Sequence, residues 1–170
     1  MTLLSRLASD VQLMFRRPPR LQYGALCYRV KKKTNAVEVL VMTSRDTGRW
    51  VIPKGWPMNG KCSHEVAARE AYEEAGVRGK IESEPLGSYT YPKALKDGLK
   101  VICKVQVHVL EVSEIVKNFK EKGERKAEWV SCDEAAARVN EPELRKLFLL
   151  FKRRITEKLQ ADSPKQIPAA

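Results

Sequence analysis

Residues 55–77, GWPMNGKCSHEVAAREAYEEAGV, decide how this chain reads. Their last nine, Arg69-Glu70-Ala71-Tyr72-Glu73-Glu74-Ala75-Gly76-Val77, set three carboxylates at i, i+3 and i+4. On a helix those offsets bring Glu70, Glu73 and Glu74 onto one face within a turn. Like charges so placed repel one another unless a hard cation sits among them, so the spacing predicts a divalent-metal site. Gly76 can take the left-handed conformation that ends a helix, and Val77 can then open a buried strand. The order predicted is loop, short acidic helix, strand. Ser63 is the expected N-cap, with His64 and Glu65 in the first turn, and Ala68, Ala71 and Ala75 form the small side that packs closely.

Working outward, residues 23–30 and 37–43 are rich in β-branched and aromatic side chains and predict paired strands joined through the polar residues 31–35. Residues 50–52 make a short strand that Pro53 ends, and Lys54-Gly55 opens the acidic segment's loop. Downstream, a strand is expected within residues 78–91, a basic hairpin tip at 93–100, and a long alternating strand at 101–112. A charged loop at 114–124 precedes a short strand at 126–131, a short helix at 133–139 and a longer one at 141–159. The apolar stripe of that last helix is Leu144, Leu147, Phe148 and Phe151. The chain divides into a basic arm at 1–19, closed by Pro18-Pro19, a domain at 20–160 and a disordered tail at 161–170. The arm is expected to pack against the domain or a second subunit, and a homodimer is left open.

With 170 residues and 43% hydrophobic content, the chain suits one core. Cys27, Cys62, Cys103 and Cys132 form no C-x-x-C pair and read as reduced thiols rather than a zinc site or a secreted disulfide framework. No apolar run approaches the roughly 18 residues of a membrane span, and the expected compartment is the cytoplasm. The net charge of +11 arises although the central helix is acidic, so partners should be anionic. Aromatic residues are not interleaved with the basic runs, which argues against a nucleic-acid module and leaves a highly phosphorylated small molecule. His64 and His108 do not suggest a catalytic pair; Trp50 and Trp129 are expected in the core, and Trp56 near the pocket.

The 55–77 window resembles the Nudix box, G-x5-E-x7-R-E-U-x-E-E-x-G-U with U a bulky apolar residue. Gly55, Arg69, Glu70, Glu73, Glu74, Gly76 and Val77 match at the right spacing. Lys61 stands where the pattern has its first Glu, and Ala71 where it has a larger apolar residue. Glu65, four residues before Arg69, is placed to brace that arginine in place of the missing Glu. The resemblance implies an α/β fold, an α/β/α sandwich around a mixed sheet. It implies Mg2+, with Mn2+ able to substitute, held by Glu70 and Glu74. Glu73 would serve as general base or water-positioning group, with Arg69 beside it. Such metals prefer oxygen ligands, one or two carboxylates plus substrate phosphate.

Outside the box, residues 42–53, 66–79 and 125–130 resemble the diphosphoinositol polyphosphate phosphohydrolase branch. That resemblance implies substrates such as diphosphoinositol or diadenosine polyphosphates. Gly55 would lie against them, and Arg45, Lys54, Lys100 and Arg125, with Arg20 as a weaker candidate, would neutralise their phosphates. Lys54-Gly55-Trp56 departs from that branch, which has three glycines here; Pro-Lys-Gly is how asymmetrical diadenosine tetraphosphate hydrolases begin their box. Two functions stand: a metal-dependent pyrophosphohydrolase, or a Nudix-fold module that binds a phosphorylated ligand without turnover.

Overall fold

The computed structural model describes residues 3–163. The elements in chain order are α1 (Leu3–Arg16), β1 (Arg20–Val30), β2 (Val37–Thr43), β3 (Trp50–Val51), β4 (Lys54–Gly55) and α2 (Ser63–Ala75). They continue with β5 (Val77–Ile81), β6 (Gly87–Ala94), β7 (Lys100–Ile115), β8 (Ala127–Val130), α3 (Cys132–Arg138) and α4 (Pro142–Ala161). One sheet runs β3-β2-β1-β7-β5, with β4 joined to β1, β6 to β7 and β8 to β2. The β1–β7 pair is parallel and the others antiparallel, so the sheet is mixed, as expected. The segment read as one strand within 78–91 is two strands, β5 and β6, which both pair with β7.

Alternation along β1 sorts its side chains between two layers. Ala25 and Cys27 face α2, where they meet Ala67 and Ala71. Small residues on both sides let the acidic helix lie close to the sheet. Leu26 and Tyr28 belong to the opposite layer with Leu144, Phe148 and Phe151 of α4. The Tyr28 and Phe151 rings lie 4.9 Å apart, and each such buried side chain contributes roughly 1.5–3 kcal/mol. The close-packing side of α2 is therefore Ala67 and Ala71, with Ala75 packed against them as expected; Ala68, also expected there, is only half-buried.

Helix α1 is expected to pack on the domain or on a second subunit, and a single chain bears on the first alternative alone. Leu3, Leu4, Leu7 and Val11 are exposed, so this part of its apolar side is not packed on the domain. The tail expected at 161–170 lies outside the described residues from position 164. No helix among the described residues is long and apolar enough to cross a membrane. Cys27, Cys103 and Cys132 are buried free thiols, and Cys62 is an exposed one. Trp50 and Trp129 sit half-buried at the core margin, each covered by an arginine: Arg138 at 4.8 Å and Arg29 at 4.4 Å from the respective ring.

Candidate active site

The loop before α2 is stitched to the central strand before the acidic helix begins. Lys54 and Gly55 pair with Gly24 and Tyr23, and the Ala25 N–H donates to the Pro53 carbonyl at 3.0 Å. Gly55 thereby comes to rest against Glu70. A Cβ built on Gly55 would lie 2.1 Å from Glu70 Oε1, so only glycine leaves that carboxylate where it is. At the other end of α2, Gly76 takes φ 67° and its N–H donates to the Tyr72 carbonyl at 2.9 Å. Here too a side chain is barred, because a Cβ would fall 2.3 Å from the Phe119 ring.

The N-terminus of α2 corrects two expectations. The cap is Cys62 rather than Ser63, and Glu65 Oε2 accepts the Cys62 N–H at 2.7 Å. That capping bond holds the Glu65 carboxyl below its ordinary range and keeps it from bracing Arg69. Arg69 instead donates through Nε to Glu73 Oε1 at 2.7 Å, a pair within the box itself.

The three box carboxylates sit in different surroundings. Glu73 is held below the ordinary carboxylate range chiefly by the Arg69 hydrogen bond, with Lys120 3.6 Å from its other oxygen. Glu70 is pushed up by burial and by the charges of Glu73 and Glu121. Glu74 is nearly fully buried, and burial raises it to about 7 despite the Arg125 and Lys54 charges beside it. Its Oε1 lies 3.4 Å from Arg125 Nη2, whereas Oε2 is buried without a hydrogen-bond partner.

A fourth carboxylate comes from the loop at 116–126 between β7 and β8, later than the 114–124 expected and read from residue order as dispersed charge. Val116 N–H donates to the Gly76 carbonyl at 2.8 Å, and Glu121 N–H to the Glu73 carbonyl at 3.0 Å. The loop thus caps the C-terminal end of α2 and delivers Glu121 beside the triad. Arg45 reaches Glu121 at 2.9 Å and Glu124 at 3.4 Å. Arg125 lies 3.4 Å from Glu121 and donates to the Thr43 carbonyl at 3.1 Å, with its Nε buried and unpaired.

These groups line one cleft of about 650 Å³. Arg45, Lys54, Gly55, Glu70, Glu73, Glu74 and Arg125 all border it, as read from the sequence, and Trp56 stands at its edge. Arg20 and Lys100, exposed at the first residues of β1 and β7, are not in its lining; Lys93 and Lys120 are. Lys54 lies 5.3 Å over the Tyr91 ring, and dense surroundings lower its pKa against the opposing pull of Glu74 and Glu141. The histidines lie elsewhere, with rings 6.1 Å apart; His108 is buried, and its Nδ1 is 2.9 Å from the Glu82 carbonyl.

Among the described residues, no three His, Cys, Asp or Glu side chains close into a ready-made metal cage. Magnesium does not require one, since it keeps waters and takes one or two carboxylates with phosphate. The donor set fits such an ion: hard oxygens only, one of them buried and unpaired on Glu74, and Glu70 raised by burial and then by like-charged neighbours. A divalent ion would relieve both.

The NUDIX domain family matches residues 19–151. Nudix hydrolase 12, mitochondrial, of Arabidopsis thaliana is 31% identical over 130 residues, 68% of this chain and 64% of the relative. Diphosphoinositol polyphosphate phosphohydrolase 3-beta of Homo sapiens is 31% identical over 114 residues, 66% of this chain and 64% of that protein. The chain thus spans less than two thirds of the length of these curated relatives. A solved C. elegans Ap4A hydrolase binary complex superposes with a TM-score of 0.60 at 21% identity, covering 81% of this chain and 98% of that one. That likeness shows the fold, the expected Nudix α/β/α sandwich.

Proposed function

This chain belongs to the NUDIX domain family, and we propose that it is a divalent-metal-dependent pyrophosphohydrolase acting on the phosphoanhydride bonds of a highly phosphorylated small molecule. One observation carries the reading: a buried, unpaired Glu74 oxygen sits among Glu70, Glu73 and Glu121 in a cleft that Lys54, Arg45 and Arg125 also line. Acidic residues alone would suit many roles. Carboxylates for a cation beside cations for phosphate suit few.

Glu70 and Glu74, joined by Glu121, are the residues that would hold Mg2+ or Mn2+. When bound, such an ion draws charge from the phosphoanhydride and lowers the pKa of an attacking water. Glu73 stays ionised under the Arg69 hydrogen bond, which suits it to orient that water, although the same bond weakens it as a proton acceptor. Lys54 and Arg45 meet phosphates distant from the broken bond, Lys54 from a half-buried seat and Arg45 from the rim. Arg125 both faces phosphate and fixes the Glu74 and Glu121 carboxylates. Diphosphoinositol and diadenosine polyphosphates are the substrate types to which this charge is suited.

The test is product release from nucleoside, dinucleoside, inositol and linear polyphosphates with and without Mg2+ or Mn2+. Substrates with four or more phosphates should outrun nucleotide sugars, and exhaustive chelation should abolish turnover. Full activity after chelation, or a nucleotide sugar as the best substrate, would overturn the proposal.

A further inference from the structure

Beyond the carboxylates the cleft continues into a recess of about 90 Å³ beside β6 and the start of α4, with Ser44, Asp46, Lys54, Tyr91 and Lys93 common to both. Glu141 forms part of its wall. The residue sits at the N-cap of α4, yet its side chain accepts no capping bond. Its Oε1 accepts from Arg49 Nη1 at 3.1 Å, its side chain is only 9% exposed, and its Oε2 is buried without a partner. An unused carboxylate acceptor in a protein wall is costly unless something else engages it. Neither the helix nor the carboxylate cluster gives this one a task.

We propose that Glu141 is a specificity-determining acceptor that receives a hydroxyl of the substrate's sugar and rejects a phosphate at the same position. The inference rests on the phosphoanhydride reading of the neighbouring cleft and narrows its substrate class. Rotation about the last side-chain torsion, which is soft in glutamate, swings both carboxylate oxygens together, so one of them meets the recess as the partly exposed Arg49 side chain shifts with the other. A hydroxyl then donates to an ionised acceptor, among the stronger hydrogen bonds available. A phosphate in its place would meet the carboxylates of Glu141 and Asp46, while the Arg49 charge is already engaged by Glu141. Lys54 at the junction takes the adjoining phosphate. A phosphate chain that ends in a ribose satisfies both groups, whereas a ring phosphorylated all round sets one of its phosphates against Glu141. On this reading nucleoside polyphosphates are favoured over diphosphoinositol polyphosphates.

The experiment measures kcat/KM of the full chain with Mg2+ for diadenosine tetraphosphate, its 2′,3′-dideoxy analogue and inorganic tetraphosphate. The wild type should prefer the ribose substrate by about tenfold, the worth of one hydrogen bond to a charged acceptor. Glu141→Leu should reduce that preference to under about twofold and leave inorganic tetraphosphate equal or faster. Glu141→Gln, which keeps the shape and an oxygen for Arg49, should also reduce it and guards against loss of folding. A parallel calorimetric titration of ADP, dideoxy-ADP and pyrophosphate, with Ca2+ replacing Mg2+, reads the same discrimination without turnover. If nothing is hydrolysed, the hydrolase reading fails and the titration alone decides this one. No ribose preference in the wild type, or a preference that survives in both variants, overturns it.

Discussion

Replacing Gly55 with alanine adds one methyl group, and the structure says where it goes. The new Cβ would stand 2.1 Å from Glu70 Oε1 and 2.2 Å from its Cδ, against ordinary contacts of 3.4–4 Å. The carboxyl group must therefore retreat by about 1 Å or more. Gly55 is not among the positive-φ residues, so alanine meets no backbone strain there. What yields is the end of a flexible side chain, and the fold should lose no more than about 1 kcal/mol, which is about 2–4 °C in Tm for a chain of this size. The site should lose far more. A misplacement of about 1 Å in a group that orients the reaction costs on the order of 100-fold in rate, or about 2.7 kcal/mol of barrier. Steady-state kcat on a polyphosphate substrate with saturating Mg2+, beside a thermal melt of the same preparation, separates the two effects. A kcat within about threefold of wild type would refute the role given to Glu70. A melting point lowered by more than about 10 °C would show that Glu70 is locked in place and that the reasoning about its freedom is wrong.

Glu74→Gln should remove most activity, a barrier increase of several kcal/mol, while the fold survives; turnover within a few-fold of wild type would dismiss the metal role. The same residue makes a pH prediction. Its folded pKa of about 7 exceeds the ordinary 4.5, so the stability it contributes is present below pH 4.5 and lost as pH rises through 7. Melts without metal should show that loss in the wild type and less of it in Glu74→Gln, and added Mg2+ should raise Tm more at pH 8 than at pH 6. Arg45 and Arg125 should part company. Arg45→Ala removes an exposed cation and should shift stability by under about 1 kcal/mol while raising KM for long substrates more than for nucleoside diphosphates. Arg125→Ala removes a buried partner of Glu74, Glu121 and the Thr43 carbonyl, and should destabilise by about 3–5 kcal/mol in addition. Equal Tm values for the two variants would refute that division.

The local sequence determined the acidic helix, because everything that specifies it lies within residues 55–77. Spacing alone put Glu70, Glu73 and Glu74 on one face, and Gly76 ended the helix in the left-handed conformation observed. β-Branched and aromatic content likewise announced β1 and β2, alternation announced β7, and the stripe of Leu144, Leu147, Phe148 and Phe151 announced α4. Other roles depended on competition between partners that residue order does not rank. Glu65 stood at the spacing to brace Arg69 but found a nearer backbone donor at Cys62. Only the tertiary structure decided which distant charges share the site. Glu121 looked like one more acidic loop residue until the loop docked on the carbonyls of Gly76 and Glu73. Lys93 and Lys120 entered the cleft while Arg20 and Lys100 stayed outside it, although all four are simply basic in sequence. Glu141 acquired its meaning from Arg49, far away in the chain, and from a buried oxygen left over after that pairing. Helix and strand periodicity record which face of an element is buried. They carry no trace of which side chains from different elements will meet, because that is fixed by sheet order and loop docking.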